Sequence, residues 1–277
     1  MERLVIFDLD GVIYRGEQAV PGARELVAAL HRHGALVRFA TNNSMATREA
    51  YVARLAGMGI PADETEIVTS TSATIDHLQL HLPRLRRILA VGAEGMFAEF
   101  RAAGFEVTPA ADAVPRDYNG GPLASVPDAV IAGLDREFDY RRLAAAASAV
   151  RAGARFIATN TDTRYPTPSG FLPGGGSIVA AIRVASGTDP LVIGKPEPAM
   201  FETIMERAGV NASDTVAIGD NPDTDIVAAR RAGIRSILVL TGVADASVAE
   251  MLSGERMPDA VAVGPVEVAA LLGLALS

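Results

Sequence analysis

Four short polar stretches hold the residues of this sequence that could act together in a reaction. They are Asp8-Leu9-Asp10-Gly11, Thr41-Asn42-Asn43-Ser44, Gly194-Lys195-Pro196 and Gly219-Asp220-Asn221-Pro222-Asp223-Thr224-Asp225. Side chains alternate along a strand, so Asp8 and Asp10, two apart, are expected to leave it on one side and converge at its end. Two carboxylates 4 Å apart repel by about 4 kcal/mol at an effective dielectric of about 20. A proton or a cation must therefore lie between them. Asp220 and Asp225 form a second acid cluster, and Lys195 is the one cation in the set. An excess of carboxylate over ammonium calls for a hard divalent cation, and oxygen ligands without His or Cys favour Mg²⁺ over zinc. Thr41, the backbone amides near Asn42, and Lys195 suit the oxygens of a phosphoryl group. The parts fit phosphoryl transfer.

Each stretch ends an apolar run, which is how a buried strand of a parallel sheet reads. Leu4–Phe7, Ala35–Ala40, Leu191–Ile193 and Val216–Ile218 are these runs. Open α/β sheets bind ligands at the carboxyl ends of their strands, so the four polar stretches are expected to share that edge. Gly11 lets the backbone turn away beneath the first acids. Helical periodicity at residues 23–33, 47–58 and 72–81 makes residues 1–82 read as βαβαβα. Right-handed crossovers then give a doubly wound sheet. A new unit begins near Pro83, with strands near 87–91, 105–107, 129–132 and 154–158 and helices near 94–103, 140–151 and 177–185. Residues 109–127 and the polar run 162–176 read as loops. The expected fold is α/β: a doubly wound parallel-sheet core of residues 1–82 and 190–277, interrupted by an α/β domain at 83–189.

Composition limits the partners. The chain has 277 residues, of which 49% are hydrophobic but only 5% aromatic, so the core is Ala, Val, Leu and Ile. A net charge of −8 argues against a nucleic-acid surface or an anionic membrane. With no Cys there are no disulfides and no thiolate metal sites, which suits a cytoplasmic protein. The N-terminal apolar run lacks a basic leader and is not expected to be a signal peptide, and no run reaches the length of a membrane span.

The four stretches, in this order, resemble the four motifs of the haloacid dehalogenase superfamily. A large α/β insert between the second and third resembles its C2-capped branch, which holds the NagD-like and nitrophenylphosphatase-like enzymes. The resemblance implies that Asp8 is the nucleophile and forms an aspartyl-phosphate. It implies that Asp10 protonates the leaving oxygen and then activates water. Asp8, the backbone carbonyl of Asp10, and Asp220 would hold Mg²⁺, with Asp225 supporting the metal shell. Thr41 and Asn42 would bind the phosphoryl group with Asn43 nearby, and Lys195 would neutralise nucleophile and phosphate. Asp10 bears on class, because dehalogenases of the superfamily lack this second acid. Relatives often pair through their caps, which makes a homodimer the expected assembly.

In this branch a cap loop chooses the substrate, and here it runs from Asn160 to Pro168 and on to Ser177. Some pyridoxal-phosphate phosphatases of similar organisation carry His-Pro where this chain has Tyr165-Pro166. Arg164 and Tyr165 are therefore candidates to contact a sugar, glycerol or aryl leaving group. The resulting expectation is a Mg²⁺-dependent phosphatase of small phosphorylated metabolites. A phosphomutase-like transferase is the first alternative, disfavoured because the smaller caps of that group lie between the first two motifs. A non-catalytic regulator is the second, although it need not keep Asp8, Asp10, Lys195 and Asp220 together. Asp223 reads as a helix cap or a solvated acid. Gly174-Gly175-Gly176-Ser177 lacks the Gly-Lys-Ser/Thr ending of a P-loop and reads as a hinge entering a helix. His77 and His81 share a helical face but lack a third ligand.

Overall fold

The structure is a computed structural model and describes residues 2–167 and 170–276. In chain order its strands are β1 (Leu4–Phe7), β2 (Tyr14–Arg15), β3 (Gln18–Ala19), β4 (Leu36–Thr41), β5 (Ile67–Thr69), β6 (Arg87–Val91), β7 (Glu106–Pro109) and β8 (Ala129–Ala132). They continue as β9 (Arg155–Ala158), β10 (Arg164–Thr167), β11 (Gly170–Pro173), β12 (Leu191–Val192), β13 (Thr215–Gly219), β14 (Arg235–Val239) and β15 (Ala260–Ala262). The chain forms two compact units: residues 1–41, 47–69 and 195–277 in one, residues 42–46 and 70–194 in the other.

The first unit is built on a parallel sheet in the order β15-β14-β13-β1-β4-β5. The chain moves outward from β1 through β4 to β5, then returns to the other flank of β1 and moves outward again through β13, β14 and β15. This reversal makes β1 and its neighbours the topological switch point, where open α/β sheets leave a crevice. All four residues of β1 are buried, as expected for a strand covered on both faces. Phe7 pairs in register with Ile218 on one side and with Phe39 on the other. The Phe7 and Phe39 rings stack with centroids 6.0 Å apart. Asp8, Thr41 and Asp220 consequently emerge along one edge of three adjacent strands. The helix Ala23–Arg32 buries Leu26, Val27 and Leu30, the face its periodicity indicates. A small ribbon, β2 with β3, turns at Gly16 and has no counterpart in the hydrophobic pattern, because two-residue strands leave no period to detect.

The second unit contains a parallel sheet in the order β12-β9-β8-β6-β7 and a separate hairpin, β10 with β11. Its core joins Ala145, Ala146, Ala149 and Val150 of the helix Tyr140–Arg151 to Ile178, Val179 and Ile182 of the helix Gly175–Ser186. Two boundaries differ from the sequence pattern. The helix Ser70–His81 belongs with the second unit, which hydrophobic periodicity starts only at 83. The Ser70 hydroxyl donates to the Asn42 carbonyl at 2.7 Å, so the start of this helix is tied to residues 42–46 of the same unit. The strand Leu191–Val192, which reads as a core strand, pairs instead with β9, and the chain re-enters the first unit only at Lys195. An apolar run states that a strand exists but not which sheet receives it.

The polar run 162–176 is not all loop, since β10 and β11 lie within it. Alternation is hard to see there because Arg164, Tyr165, Pro166 and Thr167 include no aliphatic residue. Pro168 of the expected substrate loop lies outside the described residues. The three glycines that follow are not a hinge. A Cβ at Gly174 would overlap the Asp162 carbonyl oxygen, and one at Gly176 would overlap that of Thr161. The Gly176 amide donates to the Asp162 carbonyl at 2.9 Å, so the helix start packs directly on the 161–162 backbone. Among the described residues, no helix is long and apolar enough to cross a membrane.

Steric clearance and hinge flexibility predict different outcomes for Ala scanning. Gly176→Ala should destabilise the protein by about 1–3 kcal/mol, because backbone must move. Gly95→Ala, in the helix Glu94–Ala102 with open space around its Cβ, should stabilise by about 0.5–1 kcal/mol. Chemical denaturation of both variants checks this, and a Gly176→Ala protein as stable as the parent would restore the hinge.

Candidate active site

The site begins where β1 stops. The Asp8 amide donates to the Ile218 carbonyl at 2.9 Å, so sheet pairing runs one residue past the strand and fixes the Asp8 backbone against β13. The chain then turns tightly. The amides of Val12, Ile13 and Tyr14 converge on the Leu9 carbonyl, the Gly11 amide donates to the Tyr14 carbonyl, and Gly11 takes φ +80°. Asp10 thus sits in a turn and not on an extended strand, which corrects the alternation argument: its direction is set by the turn. Its carboxylate is also not among the three acids that gather nearby. Asp10 is an exposed residue, yet desolvation raises its carboxyl pKa against the opposing pull of Arg54 and Lys195. Arg54 lies over the ring of buried Tyr14 at 4.1 Å and donates to the Gly16 carbonyl at 2.6 Å.

Lys195 is the centre of the site. Its side chain is 3% exposed, and its ammonium lies 2.5 Å from Asp8 Oδ1 and 2.7 Å from Asp225 Oδ1. It also donates to the Ala40 carbonyl at 3.1 Å, at the end of β4. Burial alone would favour the neutral amine, but the carboxylates of Asp225 and Asp8 outweigh it and raise the pKa above that of a free lysine. One ammonium does not balance the acids around it. Asp8, Asp220 and Asp225 each bring a carboxylate oxygen within 4.8 Å of the others. The Asp8 pKa is raised well above the ordinary carboxylate range by desolvation, which Lys195 opposes and which the charges of Asp225 and Asp220 reinforce. Desolvation and the Asp225 charge push Asp220 up to about 7, against the amide of Val243. An oxygen-only, carboxylate-rich donor set with surplus charge is the chemistry that holds a hard divalent cation.

Local backbone brings the last two acids in. After β13 the chain makes one wide π-helical turn, Pro222–Ile226, before the helix Val227–Arg231. Such turns recur at functional sites because they re-aim a side chain. Here the turn carries Asp225, whose Oδ2 accepts the Asn221 amide at 3.1 Å. A Cβ at Gly219 would overlap the Asp225 side chain, so only glycine fits there. Asn221, and not Asp223, caps the turn through its Oδ1, while Asp223 is exposed and pairs with Arg256 at 2.8 Å. Residue type alone gives the loop after β14 no chemical signature. Its Val243 amide donates to Asp220 Oδ2 at 2.6 Å, and Gly242 lies against the same carboxylate. The one available signal was a glycine two residues past an apolar strand-forming run.

Asn42 and Asn43 belong to the second unit although Thr41 ends β4 of the first. The Asn42 side-chain amide donates to Asp162 Oδ1 at 2.9 Å, and its carbonyl accepts from the Asn160 amide group at 2.9 Å. Asn43 Oδ1 accepts the Met45 amide at 2.9 Å. Arg164 and Tyr165 lie on β10, with Arg164 exposed and its guanidinium 5.6 Å from the Phe171 ring centroid. Tyr165 is half-buried and pairs in register with Leu172 of β11. The structure therefore gathers Asp8, Lys195, Asp220 and Asp225, holds Asp10 in the turn after β1 and Thr41 at the end of β4, and assigns Asn42, Asn43, Arg164 and Tyr165 to the other unit. The rings of His77 and His81 lie 4.5 Å apart, outside any group of three or more possible metal ligands among the described residues.

A family model described as haloacid dehalogenase-like hydrolase matches residues 5–106, and a second model of the same kind matches residues 192–264. The 5'-nucleotidase YutF of Bacillus subtilis is 36% identical over 238 residues, covering 86% of this chain and 87% of that one. The chain belongs to the haloacid dehalogenase-like hydrolases. Within them it belongs to the NagD and nitrophenylphosphatase-like branch: NagD from Escherichia coli superposes with a TM-score of 0.82 at 32% identity, over 96% of this chain and 98% of that one. The glycerol phosphate phosphatase of Mycobacterium tuberculosis, solved in complex with magnesium, superposes with a TM-score of 0.79 at 34% identity, over 96% of this chain and 76% of that one. The family's doubly wound core with an inserted α/β cap is the architecture found here.

If Lys195 holds the buried acids together, removing its charge should leave Asp8 and Asp225 unpaired. Lys195→Met is expected to cost about 3–5 kcal/mol in the presence of chelator, the penalty for breaking a buried pair from one side. Denaturation of parent and variant in chelator measures it, and a difference below about 1 kcal/mol, the level of a surface pair, would mean that the ammonium is solvated.

Proposed function

We propose that this chain is a Mg²⁺-dependent phosphatase of small phosphorylated metabolites, such as sugar, glycerol or aryl phosphate monoesters, and that Asp8 is its nucleophile. The observation that carries the reading is the buried Lys195 ammonium bridging Asp8 and Asp225 beside the third acid, Asp220. Asp8, Asp220 and Asp225 have the hard oxygen donors and the surplus charge that fit Mg²⁺, with the Asp10 carbonyl as a further ligand. When bound, the ion would supply positive charge to the phosphoryl oxygens and to the carboxylates that hold it.

In this reading the Asp8 carboxylate attacks phosphorus, and the ester P–O bond breaks as the aspartyl-phosphate forms. Asp10, whose pKa is raised, gives its proton to the departing alcohol or phenol oxygen. It then takes a proton from water as that water attacks the acyl-phosphate phosphorus, releasing inorganic phosphate and the Asp8 carboxylate. Lys195 holds the Asp8 carboxylate in place before attack and offsets charge as the phosphoryl group arrives. Thr41 and Asn42, with Asn43, supply hydrogen bonds to the phosphoryl oxygens.

The relatives differ in the substrates their names state, a nucleotide in one and glycerol phosphate in another, on a common fold. The β10–β11 hairpin is the segment we assign to substrate choice, through Arg164 and Tyr165. A cytoplasmic location and pairing of caps between two copies belong to the same reading.

p-Nitrophenyl phosphate hydrolysis should require Mg²⁺, vanish in excess chelator and return on adding the ion back. Asp8→Asn should lower the rate by at least about 10³-fold while the circular dichroism spectrum stays unchanged. Full activity in chelator would remove the metal, and a near-normal rate for Asp8→Asn would require another nucleophile. Replacing Arg164 and Tyr165 by Ala should reorder kcat/KM across a panel of sugar, glycerol, nucleotide and aryl phosphates; an unaltered order would place selection elsewhere in the chain.

A further inference from the structure

The loop Thr241-Gly242-Val243 after β14 packs against an acid of the site and against the turn after β1. Two hydrogen bonds and one close approach tie this loop to Asp220, and a third hydrogen bond ties it to the turn after β1. The Val243 amide donates to Asp220 Oδ2 at 2.6 Å, and the Ala244 amide donates to the Asp220 carbonyl at 3.1 Å. The Thr241 hydroxyl donates to the Gly11 carbonyl at 2.6 Å, joining the loop to the turn that follows β1. A Cβ on Gly242 or on Gly11 would overlap Asp220 Oδ2, and one on Gly11 would also come within 2.8 Å of the Gly242 Cα. Gly11 has φ +80° and needs glycine for that reason as well, whereas Gly242 is not among the positive-φ glycines. Glycine is required at 242 by space alone.

One carboxylate oxygen of Asp220 is thus enclosed between two glycine backbones and held by an amide. A short side chain on its own keeps rotational freedom about χ1 and χ2. Here that freedom is removed from one end, which leaves Oδ1 as the oxygen available to an ion. The same loop joins the tips of β1, β13 and β14, so the Asp8 turn and the Asp220 carboxylate are fixed against each other. We infer that Thr241, Gly242 and Val243 form a clamp that presets Asp220 for a divalent cation, with Thr241 and Gly242 as positioning residues of the metal site. The inference rests on the Mg²⁺ reading above and assigns no ligand role to the loop itself. Groups that orient metal ligands typically change affinity by about 10–100-fold when lost.

Mg²⁺ binding measured by calorimetry on the full chain, alongside metal-free thermal melts, tests the clamp without relying on turnover. Gly242→Ala should raise the Mg²⁺ Kd by at least about tenfold. Thr241→Val, which keeps the shape and removes the hydroxyl, should raise Kd while the metal-free melting temperature stays close to the parent's, and Thr241→Ser should restore affinity. Should Gly242→Ala fail to fold, the Thr241→Val and Thr241→Ser pair decides alone. Parental Mg²⁺ affinity in folded Thr241→Val overturns the clamp and leaves the phosphatase reading intact. A parent protein that binds no Mg²⁺ overturns the metal reading and the clamp with it.

Discussion

One lysine ammonium buried against more carboxylate than it can neutralise is the constraint from which the rest of the site follows. Lys195 reaches Asp8 and Asp225 at ion-pair distance while Asp220 stands in the same cluster. Away from water such charges are stabilised only by partners. Lysine supplies one, and the remaining negative charge makes the place a receptor for a cation. Burial raises the pKa values of Asp8 and Asp220, and the neighbouring acid charges add to it. Without the lysine the acids would repel one another; with a second lysine the cluster would have less need of a metal.

The fold concentrates these groups through topology and through what it leaves out. Reversing the strand order at β1 sets β13 beside it, so the residues after two adjacent apolar strands, far apart in the chain, emerge side by side. Rigid strands define where the chain ends but not where a carboxylate points. Direction comes from local devices: the turn around Gly11, the wide turn carrying Asp225, and the amide of Val243. Absent side chains are part of the same design. Glycines at 11, 219 and 242 let acid side chains approach backbone more closely than any Cβ would allow. The three glycines at 174–176 do the equivalent for the second unit, where helix and loop backbones touch.

The proposed site residues are divided between the two units. Asp8, Asp10, Thr41, Lys195, Asp220 and Asp225, the residues proposed for hydrolysis, lie in the doubly wound unit. The segment 42–46, which follows the end of β4, is anchored by Ser70 and Asn160 in the unit that also carries the β10–β11 hairpin. A chain segment continuous with β4 is therefore held by the unit to which substrate choice is assigned in the proposed function.

By itself the sequence determined the α/β class, the order of the four polar stretches and the identity of the acids and the lysine. Apolar runs, helical periodicity and charge balance are local properties, and a reader of the chain can total them. Tertiary structure decided the matters that depend on distant neighbours. Leu191 and Val192 form a strand by their own composition, yet pairing with Ile157 and Ala158 chose the sheet. Asp10 was aimed by a turn closed on Leu9 and Tyr14, so strand alternation could not orient it. Gly242 acquires its role only because Asp220, twenty-two positions earlier in the numbering, lies where its Cβ would be. Residue type sets which chemistry is possible, but distance and direction arise from contacts between segments far apart in the chain, and these exist only once it has folded.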